Sequence, residues 1–183
     1  HYGIGQSIAS MIDTSWKTPL GLMEVDSESA LELKDGLDIL KLDSFSHSKE
    51  HSIEVQVPML QETFSHEMKI LPVSLINQDQ QTATKVGSAI AKIAQKKDAL
   101  LIGSSDFTHY EENEFAHRQD LTLIDPILKL DVDEFYNILY ERHVTACGFG
   151  AIASTMIACK ELGATKGKLL KYATSGDVSG DKS

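Results

Sequence analysis

The chain has 183 residues, of which 42% are apolar and 24% charged, and its formal net charge is −10. That length supports one domain with a buried core. The absence of any run near the roughly 18 apolar residues of a membrane span argues against a membrane partner. The lysines are scattered, the densest basic run being Gln95-Lys96-Lys97, so no groove for tracking phosphates is expected and nucleic acid is not an expected partner. The two cysteines, Cys147 and Cys159, form no Cys-x-x-Cys motif. They read as free thiols in a reducing cytoplasm.

In chain order, HYGIGQ (1–6) reads as a Gly-rich loop, SIASMI (7–12) as a short strand and Pro19-Leu20-Gly21 as a tight turn. Residues 28–38 predict a helix capped by Asp26 or Ser27. KILPVSL (69–75) reads as a buried strand. Ala83, Val86, Ile90, Ile93 and Ala94 recur at helical spacing within 79–97. ALLIG (99–103) is the next predicted strand. Residues 114–130 and 132–142 predict helices, the second capped by Asp131. Residues 148–162 predict a packed helix and GKLLKYAT (167–174) a last strand. Strands alternating with helices of this length predict an α/β fold: one domain over 1–183, with a largely parallel or mixed central sheet flanked by helices.

One stretch reads two ways. In KEHSIEVQVPMLQETF, Ile53, Val55, Val57 and Met59 alternate as in a strand, while Ile53, Val57, Leu60 and Phe64 form a helical stripe. Proline inside a helix costs roughly 3 kcal/mol, so Pro58 tips the periodicity toward strand.

The polar chemistry gathers in four places. SSDFTH (104–109) follows the predicted strand ALLIG, so Asp106 and His109 would sit at a strand's carboxyl end, where α/β sheets place their sites. SHSKEHSIE (46–54) carries His47, Glu50, His51 and Glu54, in which Glu50-His51 is not the His-Glu-x-x-His motif of a zincin. HVTACGFGA (143–151) sets Cys147 before a Gly-rich turn that opens a helix, a location that favours thiolate. His1 precedes Gly3 and Gly5. These residues suit either a metalloenzyme with two His and one Cys or a Cys–His pair for acyl transfer.

HSIEVQVPML (51–60), SSDFTHY (104–110), CGFGAI (147–152) and YATSGDVSGD (172–181) occur in the order and spacing of the Memo-like family. That family includes the prokaryotic AmmeMemoRadiSam system protein B. The resemblance covers nearly the whole chain. It implies the fold of LigB-type (class III) extradiol dioxygenases, in which two His and a Glu hold a nonheme iron. It also implies HSIE on a helix, and further strands before His1 and after Ser183, so that the chain is a fragment of a longer one. Carried over residue by residue, His1 and His51 resemble the two metal-binding imidazoles. Cys147 resembles the third ligand, in place of the dioxygenase Glu. His109 matches a pocket acid/base with Asp106 beside it.

The implied cofactor is one transition-metal ion, iron or copper, with zinc as a further option. Thiolate is softer than carboxylate, so ring cleavage does not transfer with the fold. The resemblance implies a cytoplasmic redox metalloprotein acting on a small-molecule substrate. The alternatives are a peptide- or protein-binding module that uses the same pocket, and a hydrolase with Cys147 as nucleophile.

Overall fold

A computed structural model of the chain describes residues 3–12, 14–64 and 67–180. Its strands are β1 (Ile8–Ser10), β2 (Ser15–Thr18), β3 (Gly21–Val25), β4 (Lys41–Leu42), β5 (Lys69–Ile70) and β6 (Ser74–Leu75). Its helices are α1 (Ser27–Gly36), α2 (Val57–Thr63), α3 (Gln80–Ala94), α4 (Asn113–Lys129), α5 (Val132–Glu141), α6 (Phe149–Glu161) and α7 (Ser175–Ser179), with a 3-10 turn at Ser44–His47. The α/β class is as expected. Contacts divide the chain into two compact units, His1–Gln78 with Lys92–Ala99, and Asp79–Ala91 with Leu100–Ser183.

All the described strands lie in the first unit. They form two small mixed sheets, ordered β4-β1-β6 and β2-β3-β5, rather than one central sheet. β1 pairs parallel with β4 (Ala9↔Lys41) and antiparallel with β6 (Ile8↔Leu75). β3 pairs antiparallel with β2 and parallel with β5. The predicted turn at Pro19-Leu20 joins β2 to β3.

Three strand expectations are corrected. KILPVSL splits into β5 and β6, which join different sheets on either side of Pro72; proline has no N–H to give a ladder. ALLIG and GKLLKYAT run without ladder pairing among the described residues. Leu100 is 67% exposed and Leu170 86% exposed. Apolar and β-branched content gives strand propensity, but a strand forms only against a partner. HSIE, for its part, is neither strand nor helix. The chain turns through 52–56, and α2 starts only at Val57, with Pro58 in its first turn. A missing N–H costs nothing there, because first-turn amides have no partner within the helix.

The second unit is helical among the described residues. Asp131 caps α5 by accepting from the Glu134 amide, as its sequence position predicts. The core joins Leu123 of α4, Phe135 and Leu139 of α5, and Ala153 and Met156 of α6. Gly87 of α3 lets α6 approach: a Cβ there would stand 2.6 Å from the Ser154 carbonyl oxygen. Among the described residues no helix is long and apolar enough to cross a membrane.

The cap of α1 gives a stability test. Asp26 accepts from the Ser29 amide at 3.0 Å and the Ser29 hydroxyl at 2.7 Å, and pairs with Lys97 at 2.9 Å. Burial alone would raise its carboxyl. The Ser29 and Lys97 hydrogen bonds outweigh that and hold it below the ordinary value of 3.8. A depressed carboxyl stabilises the fold above its unfolded value and loses that contribution as pH falls through the folded value. Asp26→Ala is therefore expected to cost about 1–2 kcal/mol near neutral pH, with the gap from the parent shrinking below about pH 4. Urea unfolding at both pH values checks it.

Candidate metal centre

Two polar segments of the second unit meet backbone to backbone. The Cys147 amide donates to the Asp106 carbonyl at 3.1 Å. The Asp106 amide donates in return to Cys147 Sγ at 3.3 Å. Ser105 Oγ accepts from the Gly148 amide at 2.9 Å and donates to the Asp106 carbonyl at 2.8 Å. One step further along, the His109 amide donates to Thr145 Oγ1 at 2.9 Å. Between these ties Phe107 packs against the helical core. The clasp needs glycine at 148, where a Cβ would stand 2.3 Å from the Ser104 carbonyl oxygen. Gly148 is also the cap of α6, so Cys147 stands just before a helix N-terminus, as expected.

The clasp brings three predicted site residues together. One ligand atom each from Asp106, His109 and Cys147 lies within 4.8 Å of the others. Asp106 and Cys147 are exposed and His109 is half-buried. His109 Nδ1 is shut away from solvent and has no hydrogen-bond partner among the described residues. A buried polar atom without a partner is costly, and a ligand supplied from outside would satisfy it. The next residue, Tyr110, takes a left-handed backbone at φ 58°. For a non-glycine residue that strain is of order 1–3 kcal/mol.

This group contains none of the other described candidates. His51 belongs to the first unit, is exposed, and places Nδ1 2.7 Å from Glu54 Oε1. A carboxylate on one ring nitrogen is the usual second partner of a metal-bound imidazole, with the other nitrogen left for the metal. His1 lies outside the described residues. His47 is buried and sits edge-on to Trp16. Burial lowers its pKa despite Glu50 and Asp43 nearby, and it serves as a packed core imidazole.

The donor set fits a transition metal. A carboxylate, an imidazole and a thiolate together suit iron, copper or zinc, and three protein donors leave positions open for a substrate. Sequence reasoning missed the supporting residues Ser105 and Thr145. Both lie inside the quoted motifs, but nothing local marks them as partners of the other segment.

The sequence profile of the family described as "Memo-like protein" matches residues 1–183. The chain belongs to the Memo-like family. It is 56% identical to a MEMO1 family protein of Nitrosopumilus maritimus over 183 residues, covering 100% of this chain and 66% of that protein. It is 48% identical to one of Methanosarcina acetivorans over 187 residues (100% and 68%) and 43% identical to one of Methanococcoides burtonii over 183 residues (99% and 68%). The chain thus spans about two thirds of the length of the curated relatives it matches.

The two thiols of this Memo-like chain differ in setting. Cys147 is exposed, whereas Cys159 is half-buried on α6 and its thiol is pushed up by burial. Iodoacetamide near neutral pH is expected to modify Cys147 at least about tenfold faster than Cys159, because thiolate and access control the rate. Peptide mass mapping over time reads this, and equal rates would contradict it.

Proposed function

We propose that this Memo-like chain binds one transition-metal ion, iron or copper with zinc as a further option, and supports redox chemistry on a small-molecule substrate. The observation that carries the reading is the convergence of Asp106, His109 and Cys147 within 4.8 Å, with a buried ring nitrogen of His109 lacking a partner among the described residues.

Two donor sets share Cys147. The geometry supports Asp106, His109 and Cys147. The family resemblance nominates His1, His51 and Cys147, and leaves His109 and Asp106 to handle protons. A bound iron or copper ion would supply electron transfer and a Lewis-acidic position for the substrate. The protein's own part is to hold the sulfur still: the Asp106 amide aims at Sγ, and the reciprocal Cys147 amide bond fixes that direction. An imidazole carries one nitrogen that donates and one that accepts, which suits His109 to moving a proton at the rim. Kinship with LigB-type extradiol dioxygenases belongs to the same proposal. It carries over a nonheme metal site without ring cleavage, because a thiolate stands where those enzymes have a carboxylate. The proposed setting is the cytoplasm, where two unlinked thiols stay reduced.

A second reading makes Cys147 the nucleophile of an acyl transfer. The closeness of the Cys147 thiol to the His109 imidazole supports it.

Anaerobic titration of chelator-treated protein with Fe(II) and Cu(I) separates the readings. Near one equivalent is expected to bind, and Cys147→Ala is expected to weaken it by at least about 100-fold, beyond the loss typical of outer partners. Metal at 100 times its Kd is expected to stabilise the fold by about 2.7 kcal/mol, seen as a higher thermal midpoint. His51→Ala and His109→Ala then assign the imidazole. Binding that ignores Cys147→Ala would overturn the proposal. Metal-independent trapping of Cys147 by an acyl probe, with His109 required, would establish the hydrolase.

A further inference from the structure

Asp120, on α4, is the least exposed acidic residue among the described residues, at 3%. Burying a carboxyl is costly unless its oxygens are satisfied. Among the described residues the satisfaction comes from neutral donors. Asp120 Oδ1 accepts from the Thr108 amide at 3.1 Å and the Thr108 hydroxyl at 2.6 Å. Asp120 Oδ2 accepts from the Tyr172 hydroxyl at 2.7 Å. Tyr172 is steadied in turn by the His117 ring, edge-on at 4.9 Å, and His117 pairs with Asp177 at 2.8 Å.

Two of the three bonds to Asp120 come from a single residue of the loop that carries Asp106 and His109. They fix both the backbone direction and the side chain of Thr108. With Phe107 in the core and Thr108 held on Asp120, the flanking Asp106 and His109 are left to face the Cys147 segment. We infer that Asp120 is a positioning residue for the Asp106–His109–Cys147 group. This rests on the metal-site reading above. A carboxyl that touches no metal and only sets the angle of the loop is an outer partner, and such partners change metal affinity by about 10–100-fold.

The test compares the parent with Asp120→Asn, Thr108→Val and the double variant. Asparagine keeps the shape but removes the charge: with Oδ1 on Thr108 its amide donates to Tyr172 and the charge-assisted bonds become weaker neutral ones, and in the other orientation the Thr108 amide loses its acceptor. The first arm is Co(II) affinity. Asp120→Asn is expected to weaken it by about 10–100-fold, Thr108→Val likewise, and the double variant by no more than the worse single. The second arm needs no metal. Amide hydrogen exchange within 104–110 is expected to speed up at least about tenfold in Asp120→Asn, while the peptides of α5 and α6 stay unchanged.

Unchanged affinity in Asp120→Asn, or faster exchange spread through the whole unit, would overturn the inference. If the parent takes up no metal, the metal reading fails by itself. The exchange arm then still decides whether Asp120 sets the loop. Tyr172→Phe removes only the Oδ2 partner and serves if Asp120→Asn does not fold. It is expected to give the same local effects at smaller size, and no local effect would count against the inference.

Discussion

The chemistry of the second unit depends on the reciprocal backbone contact between Asp106 and Cys147. One amide fixes the distance between two loops and the other points at a sulfur. The first bond uses no side chain and the second only the Cys147 sulfur itself, so the sulfur's direction follows from the chain path. Side chains tune this contact. Ser105 closes it on one side, Thr145 ties the next residues, and the bare Cα of Gly148 makes room for it. An exposed cysteine without such restraint would sweep through several rotamers and lose entropy on taking a ligand. Here part of that loss is already met in folding.

The contact also accounts for the abrupt change of character at residue 104. The apolar run 99–103 leads to a loop whose residues divide between two duties. Phe107 and Thr108 fasten it to the helices. Ser105, Asp106 and His109 face the Cys147 segment. The loop is therefore polar for two separate reasons, anchoring to the helices and contact with the Cys147 segment.

The helices were the legible part of the sequence, because their signals are local. A 3.6-residue apolar period marks α3, and Asp26 and Asp131 announce the starts of α1 and α5. Strand pairing is not local, so the strands were legible only in part, SIASMI holding β1. ALLIG and GKLLKYAT have strand composition but no described ladder, and KILPVSL hides a change of sheet at Pro72. The placement of Pro58 turned on a difference of a few residues between a helix interior and a first turn. The candidate site was legible as residue types: Asp106 and His109 stood out in the loop after an apolar run, and Cys147 before a Gly-rich turn that opens a helix. Their convergence was legible only through the family resemblance, because it depends on a contact between segments far apart in sequence. Asp120 was invisible for another reason. In NEFAHRQDLTLIDP it is one acid among several on a polar-looking helix, and only burial distinguishes it.

The account makes Cys147 sulfur part of a metal site rather than an inert or nucleophilic thiol. The most direct measurement is the X-ray absorption fine structure of the protein loaded anaerobically with one equivalent of zinc, iron or copper. The account predicts a sulfur scatterer in the first shell, at about 2.3 Å for zinc, together with nitrogen or oxygen at about 2.0–2.2 Å. A first shell of nitrogen and oxygen alone would contradict it and leave Cys147 without a role in holding the metal.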